Sequence, residues 1–295
     1  MSKELPQEAD LAISSLFSRA ENPRDALSDI AASRRFVYVM WHHGMHATER
    51  YTREEMEQIA SWLRQFGLRV RDVHGSDGKG AVWSTDEDAR VRGVELFKNR
   101  VALAERIGAE VVVMHVPREP EAPAKRESYW SALLRTLDAL QPYAHERHIR
   151  VALENLWGSE GDDFTVISRL LAQYASDFLG TCYDPGHGNL SGNGLERLEM
   201  VKNRLLAVHL NDNFGSGGKT ASGGDRHMLL YTGTVQWPAV AKAIAESCYD
   251  GPMSMEVGRR NHPSMNIPEF LEAAYHTGVR FAGEVEVLRK QFPRT

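Results

Sequence analysis

The chain has little cysteine and no long apolar run. Cys182 and Cys248 are its two cysteines and no CxxC pair occurs, so the sequence indicates neither a disulfide framework nor a thiolate zinc site. No apolar run approaches the roughly 20 residues that a membrane-spanning helix needs. The first ten residues also lack the basic and then apolar segments of a secretory signal. We therefore expect a cytoplasmic protein that does not contact membranes.

The chain also lacks an excess of basic residues. Its formal net charge is −5, whereas proteins that bind nucleic acids usually present a basic face. This balance argues against a surface built for polyanions, and we expect no nucleic acid partner. Hydrophobic residues make up 42% of the 295 positions, which allows a large buried core and is typical of a globular enzyme.

Short apolar runs alternate with longer amphipathic stretches from one end of the chain to the other. The apolar runs predict eight strands: Leu11–Phe17, Phe36–Met40, Leu68–Val73, Val111–Met114, Ile149–Leu153, Leu179–Tyr183, Leu205–Leu210 and Met253–Val257. The amphipathic stretches predict helices, among them Arg53–Phe66, Asp86–Ile107, Tyr129–Glu146 and Trp237–Glu246. Strands that alternate with helices form parallel sheets, and eight such units close a barrel.

An open, doubly wound sheet is the alternative to a barrel, but no GxGxxG or Walker-type loop follows the first strand. No change of composition marks a domain boundary. The sequence therefore predicts an α/β protein with a single (β/α)8 TIM-barrel domain over residues 1–295. We interpret the glycine-rich segment 215–224 as a surface insertion, with a mobile lid as the alternative.

Histidine and carboxylate side chains stand at the C-terminal ends of the predicted strands. They are His74, His115, Glu154, Asp184, His187, His209 and Glu256, and Asp225 and His227 follow the seventh strand. In a barrel all these ends open on one face, so the side chains converge. Any one of them alone would be read as a hydrogen-bonding residue. Together they predict a site for zinc, manganese, cobalt or iron.

Four further residues are predicted to contact a substrate. His42 follows the second strand and could reach the mouth of the cavity, and Arg226 lies between two of the residues above. Trp41 and Trp157 follow the second and fifth strands. Each tryptophan is either a packing residue or a wall on which a sugar ring stacks.

These motifs resemble the xylose-isomerase-like barrel superfamily, which contains sugar isomerases and epimerases, inosose dehydratases and the endonuclease IV group. The resemblance covers nearly the whole chain and is clearest from the third strand onward. In the ketose 3-epimerases one metal is held by Glu, Asp, His and Glu from strands five to eight. The matching residues are Glu154 in Ala-Leu-Glu-Asn, Asp184 in Tyr-Asp-Pro-Gly-His, His209 in His-Leu-Asn-Asp and Glu256 in Met-Glu-Val. The resemblance also implies that Glu154 and Glu256 are catalytic and move the substrate proton.

Endonuclease IV uses nine ligands for three zinc ions, and the remaining five are matched by His74, His115, His187, Asp225 and His227. Two features of this sequence differ from the endonuclease IV group. Its first His is followed by a Tyr and an Asn used near DNA, whereas this chain has His-Gly-Ser-Asp-Gly-Lys. The segment 225–237 is more similar to an Asp-x-His…Gly-x-Gly…Asp-Trp segment of sugar isomerase-like proteins, with Tyr231 and Gln236 at two of those positions.

The resemblance implies a metal-dependent isomerase or epimerase that acts on a small sugar, keto-sugar or polyol derivative through an enediolate. The expected cofactor is a divalent metal (Mn, Zn, Co, Mg or Fe), one to three per chain. The alternatives are an AP endonuclease with three zinc ions, a lyase or dehydratase that uses the same enolate, and a barrel that only binds a ligand. A homo-oligomer is compatible with the sequence.

Overall fold

Eight parallel strands follow one another around a nearly closed barrel in this computed structural model, which describes residues 10–43, 48–76, 78, 80–157, 163–216 and 224–291. The strands are β1 (Leu11–Ser14), β2 (Tyr38–Trp41), β3 (Arg69–His74), β4 (Val111–His115), β5 (Arg150–Glu154), β6 (Leu179–Tyr183), β7 (Leu205–Val208) and β8 (Met253–Met255). Neighbours in sequence pair in parallel, and β1 also pairs with β8. The predicted α/β TIM-barrel fold is confirmed.

The seam between β7 and β8 is bridged by a residue just past the end of β7. Leu210 donates its backbone N–H to the Ser254 carbonyl at 2.8 Å, and the Leu210 carbonyl accepts from the Glu256 N–H at 2.9 Å. These two hydrogen bonds bring the chain after β7 alongside β8. They place His209 and Glu256 near each other across the seam.

Nine helices cover the strands within the described ranges. They are α1 (Pro23–Ser33), α2 (Arg53–Phe66), α3 (Glu87–Ile107), α4 (Pro123–Glu146), α5 (Asp163–Leu171), α6 (Pro185–Ser191), α7 (Gly194–Val201), α8 (Trp237–Ala245) and α9 (Ile267–Gln291). None of these helices combines the length and the apolar composition that a bilayer span requires. Of the glycine-rich segment predicted as an insertion, residues 217–223 lie outside the described ranges.

The helix boundaries follow local sequence signals. Thr52 caps α2 by accepting from the Glu55 N–H at 3.2 Å, while the Glu55 carboxylate accepts from the Thr52 N–H at 2.6 Å. The same helix ends at Gly67, whose φ of 67° lies in the left-handed region that glycine adopts without a steric cost. Helix α4 begins at Pro123 rather than at the predicted Tyr129, because proline fits the first turn of a helix.

Side chains along the strands alternate between the helical shell and the barrel interior. On β4, Val112 packs in the large core under the helices, whereas Val113 belongs to a separate interior cluster. The interior cluster also contains short side chains from neighbouring strands: Ala152, Cys182 and Ala207. They leave space near the axis for larger groups. The next inward positions, at the C-terminal ends of β4 and β5, are His115 and Glu154.

Candidate functional site

The side chains from the strand ends meet around Glu154. Its Oε2 lies 3.2 Å from Nε2 of His74 and 3.2 Å from Nε2 of His115. Its Oε1 lies 3.0 Å from Nδ1 of His209, and that same nitrogen lies 3.3 Å from Oε2 of Glu256. The two glutamates therefore approach one point from β5 and from the end of β8.

A second group surrounds His187. Nε2 of His187 lies 3.7 Å from Oδ1 of Asp225, and the other oxygen of Asp225 lies 3.0 Å from Nε2 of His227. Nδ1 of His187 lies 3.8 Å from Asp184 Oδ2 and 3.9 Å from Glu154 Oε1. The second group is thus continuous with the first. The structure brings together all the histidine and carboxylate side chains that the sequence places at the strand ends.

The Tyr-Asp-Pro-Gly-His motif positions two of these side chains through a tight strand-to-helix turn. Asp184 caps α6, and its Oδ1 accepts from the His187 N–H at 2.7 Å. Its Oδ2 accepts from Nδ2 of Asn211 at 2.7 Å. A Cβ at Gly186 would clash with Oδ1 of Asn211, so the close approach of the two chains requires glycine there.

Three histidines of the cavity are held through one ring nitrogen. In each, Nδ1 hydrogen-bonds a backbone carbonyl: His74 to Gly75 at 3.2 Å, His187 to Asn155 at 2.7 Å and His227 to Glu256 at 2.8 Å. A carbonyl can only accept, so Nδ1 carries the proton. Nε2 is then the nitrogen that can act as a metal ligand, and it lies 3.2 Å from Glu154 in His74, 3.7 Å from Asp225 in His187 and 3.0 Å from Asp225 in His227. This is how histidine ligands of metals are usually oriented.

Four overlapping sets of three side chains could hold a metal ion within the described part of the chain. In each set the ligand atoms lie within 4.8 Å of one another. The sets are His74, Glu154 and His209; Glu154, Asp184 and His187; His187, Asp225 and His227; and His42, His74 and Glu256. Mixed imidazole and carboxylate donors suit zinc, manganese, cobalt and iron. Because His74, Glu154 and His187 each belong to two sets, neighbouring metal positions would share ligands.

The charges of the cavity also fit a divalent cation. Glu154, Asp184 and Glu256 are almost fully buried, and none forms an ion pair with a lysine or arginine in the described ranges. Oε2 of Glu256 and Oδ1 of Asp225 have no hydrogen-bond partner there. Buried carboxylates without a permanently charged partner are costly, and a bound cation offsets that cost.

Protons on the imidazoles supply the positive charge when no metal does. Burial alone would lower the pKa of His187, but Asp184 and Asp225 raise it to about 10. The pKa of His227 rises to about 9 because Glu256 and Asp225 outweigh its burial. Burial raises the pKa of the Asp184 carboxyl to about 7, and the charges of Glu256 and Glu154 add to this effect. A metal that enters this cavity therefore has to displace protons.

Asp72 is a site residue that the sequence analysis missed. It is fully buried in the barrel interior, and its Oδ1 lies 3.3 Å from Nε2 of His209. Since Nδ1 of His209 faces Glu154 and Glu256, Asp72 orients that ring from behind. Its position two residues before His74 on β3 was a usable signal, because alternate strand residues share a face.

The four predicted substrate contacts have different surroundings. Trp41 is fully buried in the core under the helices and its indole N–H points to the Tyr51 hydroxyl at 3.4 Å, so its interpretation as a cavity wall is wrong. The ring of Trp157 lies 4.7 Å from that of His187, beside the metal-type ligands. The guanidinium of Arg226 stands 5.4 Å from the ring of Phe214.

His42 lies deeper than a substrate contact at the cavity mouth would. Its Nδ1 is 3.2 Å from Oε1 of Glu256 and 3.2 Å from Oγ of Ser14, and its ring stacks on His74 at 4.7 Å. It therefore belongs to the ligand cluster. Burial lowers the pKa of His42 well below its ordinary value, although Glu256 opposes this.

A cavity of about 500 Å³ opens beside these groups, and His42, His227 and Glu256 form part of its wall. Its size falls within the range of small-molecule sites in proteins. The cavity lies at the C-terminal ends of β1 and β8, where the loops after both strands complete it.

Comparison with other proteins agrees with this architecture. A family model described as "Xylose isomerase-like TIM barrel" matches residues 29–282. The uncharacterized protein y4fM of Sinorhizobium fredii is 30% identical over 252 residues, which span 77% of this chain and 79% of that protein. A "Probable endonuclease 4" of Mycobacterium ulcerans is 27% identical over 190 residues, 60% of this chain and 70% of the relative.

Two solved structures share the fold over nearly their whole lengths. A D-tagatose 3-epimerase-like protein superposes with a TM-score of 0.74 at 20% identity, over 96% of this chain and 99% of the other. The IOLI protein with a bound zinc atom superposes with a TM-score of 0.74 at 15% identity, over 94% and 99% of the two chains.

Proposed function

The chain belongs to the xylose isomerase-like TIM-barrel family, and we propose that it is a divalent-metal-dependent isomerase or epimerase of a small sugar, keto-sugar or polyol derivative. The observation that carries this proposal is the approach of Glu154 and Glu256 to Nδ1 of His209, at 3.0 and 3.3 Å. Two carboxylates and an imidazole at one point suit both a metal and the transfer of a proton. The D-tagatose 3-epimerase-like neighbour supports a sugar as the substrate.

Glu154, Asp184, His209 and Glu256 are the residues that would hold the principal ion. Their donor set suits a divalent cation, which supplies the positive charge that stabilises a developing oxyanion. His74, His115, His187, Asp225 and His227 would hold one or two further ions or hydrogen-bond the substrate. The zinc in the IOLI neighbour supports a metal site in this fold.

Proton transfer is the task of the two glutamates. A carbon next to a carbonyl is a weak acid, so its proton leaves only when a base is already placed beside it. Glu256 lines the open cavity, with Oε2 3.3 Å from Nδ1 of His209, so we expect it to take that proton. Oε1 of Glu154 lies 3.0 Å from the same His209 Nδ1, and Glu154, once it has taken up a proton from solvent, would deliver that proton to the neighbouring carbon or to the opposite face.

Phosphodiester hydrolysis at abasic DNA is the second candidate. It is favoured by the cluster of His187, Asp225 and His227, which a single-metal epimerase does not require. The similarity to a probable endonuclease 4 also supports hydrolysis. The net charge of −5 argues against it, as do Gly75 and Ser76, which follow His74 where that group has other residues.

Exchange of substrate hydrogen with solvent tests the proposal. The metal-loaded protein is incubated in deuterated water with a panel of keto-sugars, and deuterium in recovered sugar is measured by NMR and mass spectrometry. We expect metal-dependent exchange at carbon next to the carbonyl, and no nicking of duplex DNA at abasic sites. Loss of water or another group in the same spectra would instead identify a lyase that uses the same enolate.

Two variants make this experiment specific. Glu256→Gln is expected to abolish exchange, because an amide does not accept the proton. Its metal content is measured in parallel, so that loss of exchange at full metal loading marks a lost base rather than a lost ligand. Glu127→Gln removes an exposed carboxylate on α4 and should exchange like the unaltered protein. Metal-dependent cleavage of abasic DNA without exchange on any sugar would overturn the proposal in favour of hydrolysis.

A further inference from the structure

Two arginines line the cavity that opens onto the metal-type ligands. Arg19 follows β1, and Arg260 lies in the short helical turn Arg259–Asn261 after β8. Both share the cavity of about 500 Å³ with His227 and Glu256. The proton-transfer chemistry proposed above uses neither arginine.

Backbone contacts hold both arginine-bearing loops against the cavity. The Arg259 N–H donates to the Phe17 carbonyl at 2.8 Å, which joins the loop after β8 to the loop after β1. The Gly258 N–H donates to the His227 carbonyl at 2.8 Å, which joins the same loop to the segment that carries Asp225 and His227. Both loops are therefore ordered by hydrogen bonds on the cavity rim.

Backbone strain occurs at two positions of this rim. Arg19 has φ of 53° and His227 has φ of 47°, a left-handed conformation that is unfavourable for a non-glycine residue. Such strain persists where the surrounding structure holds the chain in place, and it is common at ligand sites.

The two arginines lack an acidic partner among the residues that the structure describes. In the described ranges neither Arg19 nor Arg260 forms an ion pair with a carboxylate. Partial burial lowers the pKa of Arg260, and the like charge of Arg19 lowers it further. Asp225 opposes this effect, but its oxygens are turned toward His187 and His227 at 3.7 and 3.0 Å.

We propose that Arg19 and Arg260 form an anion subsite, and that the substrate is a sugar derivative carrying a phosphate or carboxylate group. This inference rests on the proposed function and narrows its substrate class. Guanidinium groups bind such anions through paired, charge-assisted hydrogen bonds. An anion held there neutralises the two arginines and anchors the substrate at a point away from Glu256. Binding energy at a remote group then holds the reacting carbon beside its base.

A small anionic molecule fits these observations better than a nucleic acid. The cavity of about 500 Å³ has room for one substituted sugar, and of the described residues only two unpaired arginines border it. Proteins that track a nucleic acid backbone spread many basic residues over a longer surface, whereas this chain carries a net charge of −5.

The first test measures binding of inorganic phosphate by calorimetry, on both metal-loaded and metal-free protein. Arg19→Gln and Arg260→Gln are each expected to weaken phosphate binding about tenfold, and the double variant about a hundredfold, as for the loss of one charge-assisted contact each. Arg64→Gln, which removes an exposed arginine at the C-terminal end of α2, should bind phosphate like the unaltered protein. Unchanged phosphate affinity in the folded double variant would overturn the subsite.

The second test compares exchange kinetics on three substrates: a neutral ketose, its phosphate ester and a sugar acid. The double variant should raise KM for the anionic substrate that the unaltered protein prefers, while kcat changes less and exchange on the neutral ketose is unaffected. Preference for the ester or the acid identifies which anion is bound. If the neutral ketose is the best substrate for every variant, the inference is wrong.

The two tests separate this inference from the proposed function. Loss of phosphate binding in the double variant without exchange on any sugar would support the anion subsite and refute the isomerase. Tight binding of abasic duplex DNA that both substitutions weaken, without binding of any sugar phosphate, would overturn the small-molecule subsite.

Discussion

Replacing Asp72 with Asn keeps the shape of a buried side chain and removes one negative charge from behind His209. Asp72 Oδ1 lies 3.3 Å from Nε2 of His209, whose Nδ1 faces both glutamates. A carboxylate fixes the tautomer of such a ring and makes its other nitrogen a better donor to a metal. An asparagine oxygen can still accept the hydrogen bond, but without the charge.

We expect Asp72→Asn to weaken metal binding about 10- to 100-fold, which corresponds to about 1.4 to 2.7 kcal/mol. The same substitution should raise the stability of the metal-free protein or leave it unchanged. Asp72 Oδ2 has no hydrogen-bond partner in the described ranges, so the buried charge is only partly compensated. A role confined to packing would lower stability and metal affinity together.

The assay is chelator competition with Zn²⁺, Co²⁺ and Mn²⁺, combined with thermal unfolding of the metal-free protein. The visible spectrum of bound Co²⁺ reports whether the ligand environment changes. Asp184→Ala serves as the positive control and is expected to empty the principal site. Asp88→Asn changes an exposed residue at the start of α3 and serves as the negative control. The reasoning fails if Asp72→Asn binds metal with unchanged affinity and an unchanged Co²⁺ spectrum.

Two further predictions concern protonation and the turn after β6. Burial alone would lower the pKa of His227, but its acidic neighbours raise it to about 9 in the metal-free protein. Protonated His227 stabilises the fold, and this contribution is complete below about pH 6.5 and is lost as the pH rises through 9. The Tm of the metal-free protein should therefore fall over that pH interval. The Tm of the metal-loaded protein should not. Titration calorimetry in two buffers should also show proton release on metal binding at pH 7. Gly186→Ala should lower stability and metal content together, because its Cβ would clash with Asn211. Gly283→Ala in α9 meets no neighbour and should raise stability by about 0.5–1 kcal/mol. Equal effects of the two glycine substitutions on metal content would contradict this explanation.

The barrel and the contents of its cavity could be predicted because both depend on regular spacing. Parallel strands end on one face of a barrel, so a histidine or carboxylate at each end leads to one cavity without knowledge of any contact. The same rule could have excluded Trp41. Successive strand residues point to opposite faces, so an inward His42 requires an outward Trp41.

Contacts between distant segments could not be predicted in this way. Asp72 and His209 are 137 residues apart, and the barrel alone brings β3 and β7 to opposite sides of one axis. Arg19 and Arg260 line one cavity because β1 pairs with β8 and because the Arg259 N–H donates to the Phe17 carbonyl. Alternation along β3 marks Asp72 as an inward residue, but no local pattern in the sequence marks which residue either Asp72 or Arg19 meets.

Asp225 lies between the metal-type ligands and the arginines of the proposed anion subsite. Its carboxylate is near His187, His227 and Arg260, so its single negative charge is shared among three cationic groups. A cation bound by Asp225 and the two histidines would take up that charge and leave Arg260 with Arg19 as its charged neighbour. The need for an external anion at the arginines would then increase. We therefore expect phosphate affinity to rise with metal loading of this cluster, whereas metal bound only at Glu154 and Glu256 should leave it nearly unchanged. Phosphate titration at stepwise metal loading distinguishes these outcomes, and an affinity that falls as the second ion enters would contradict the link through Asp225.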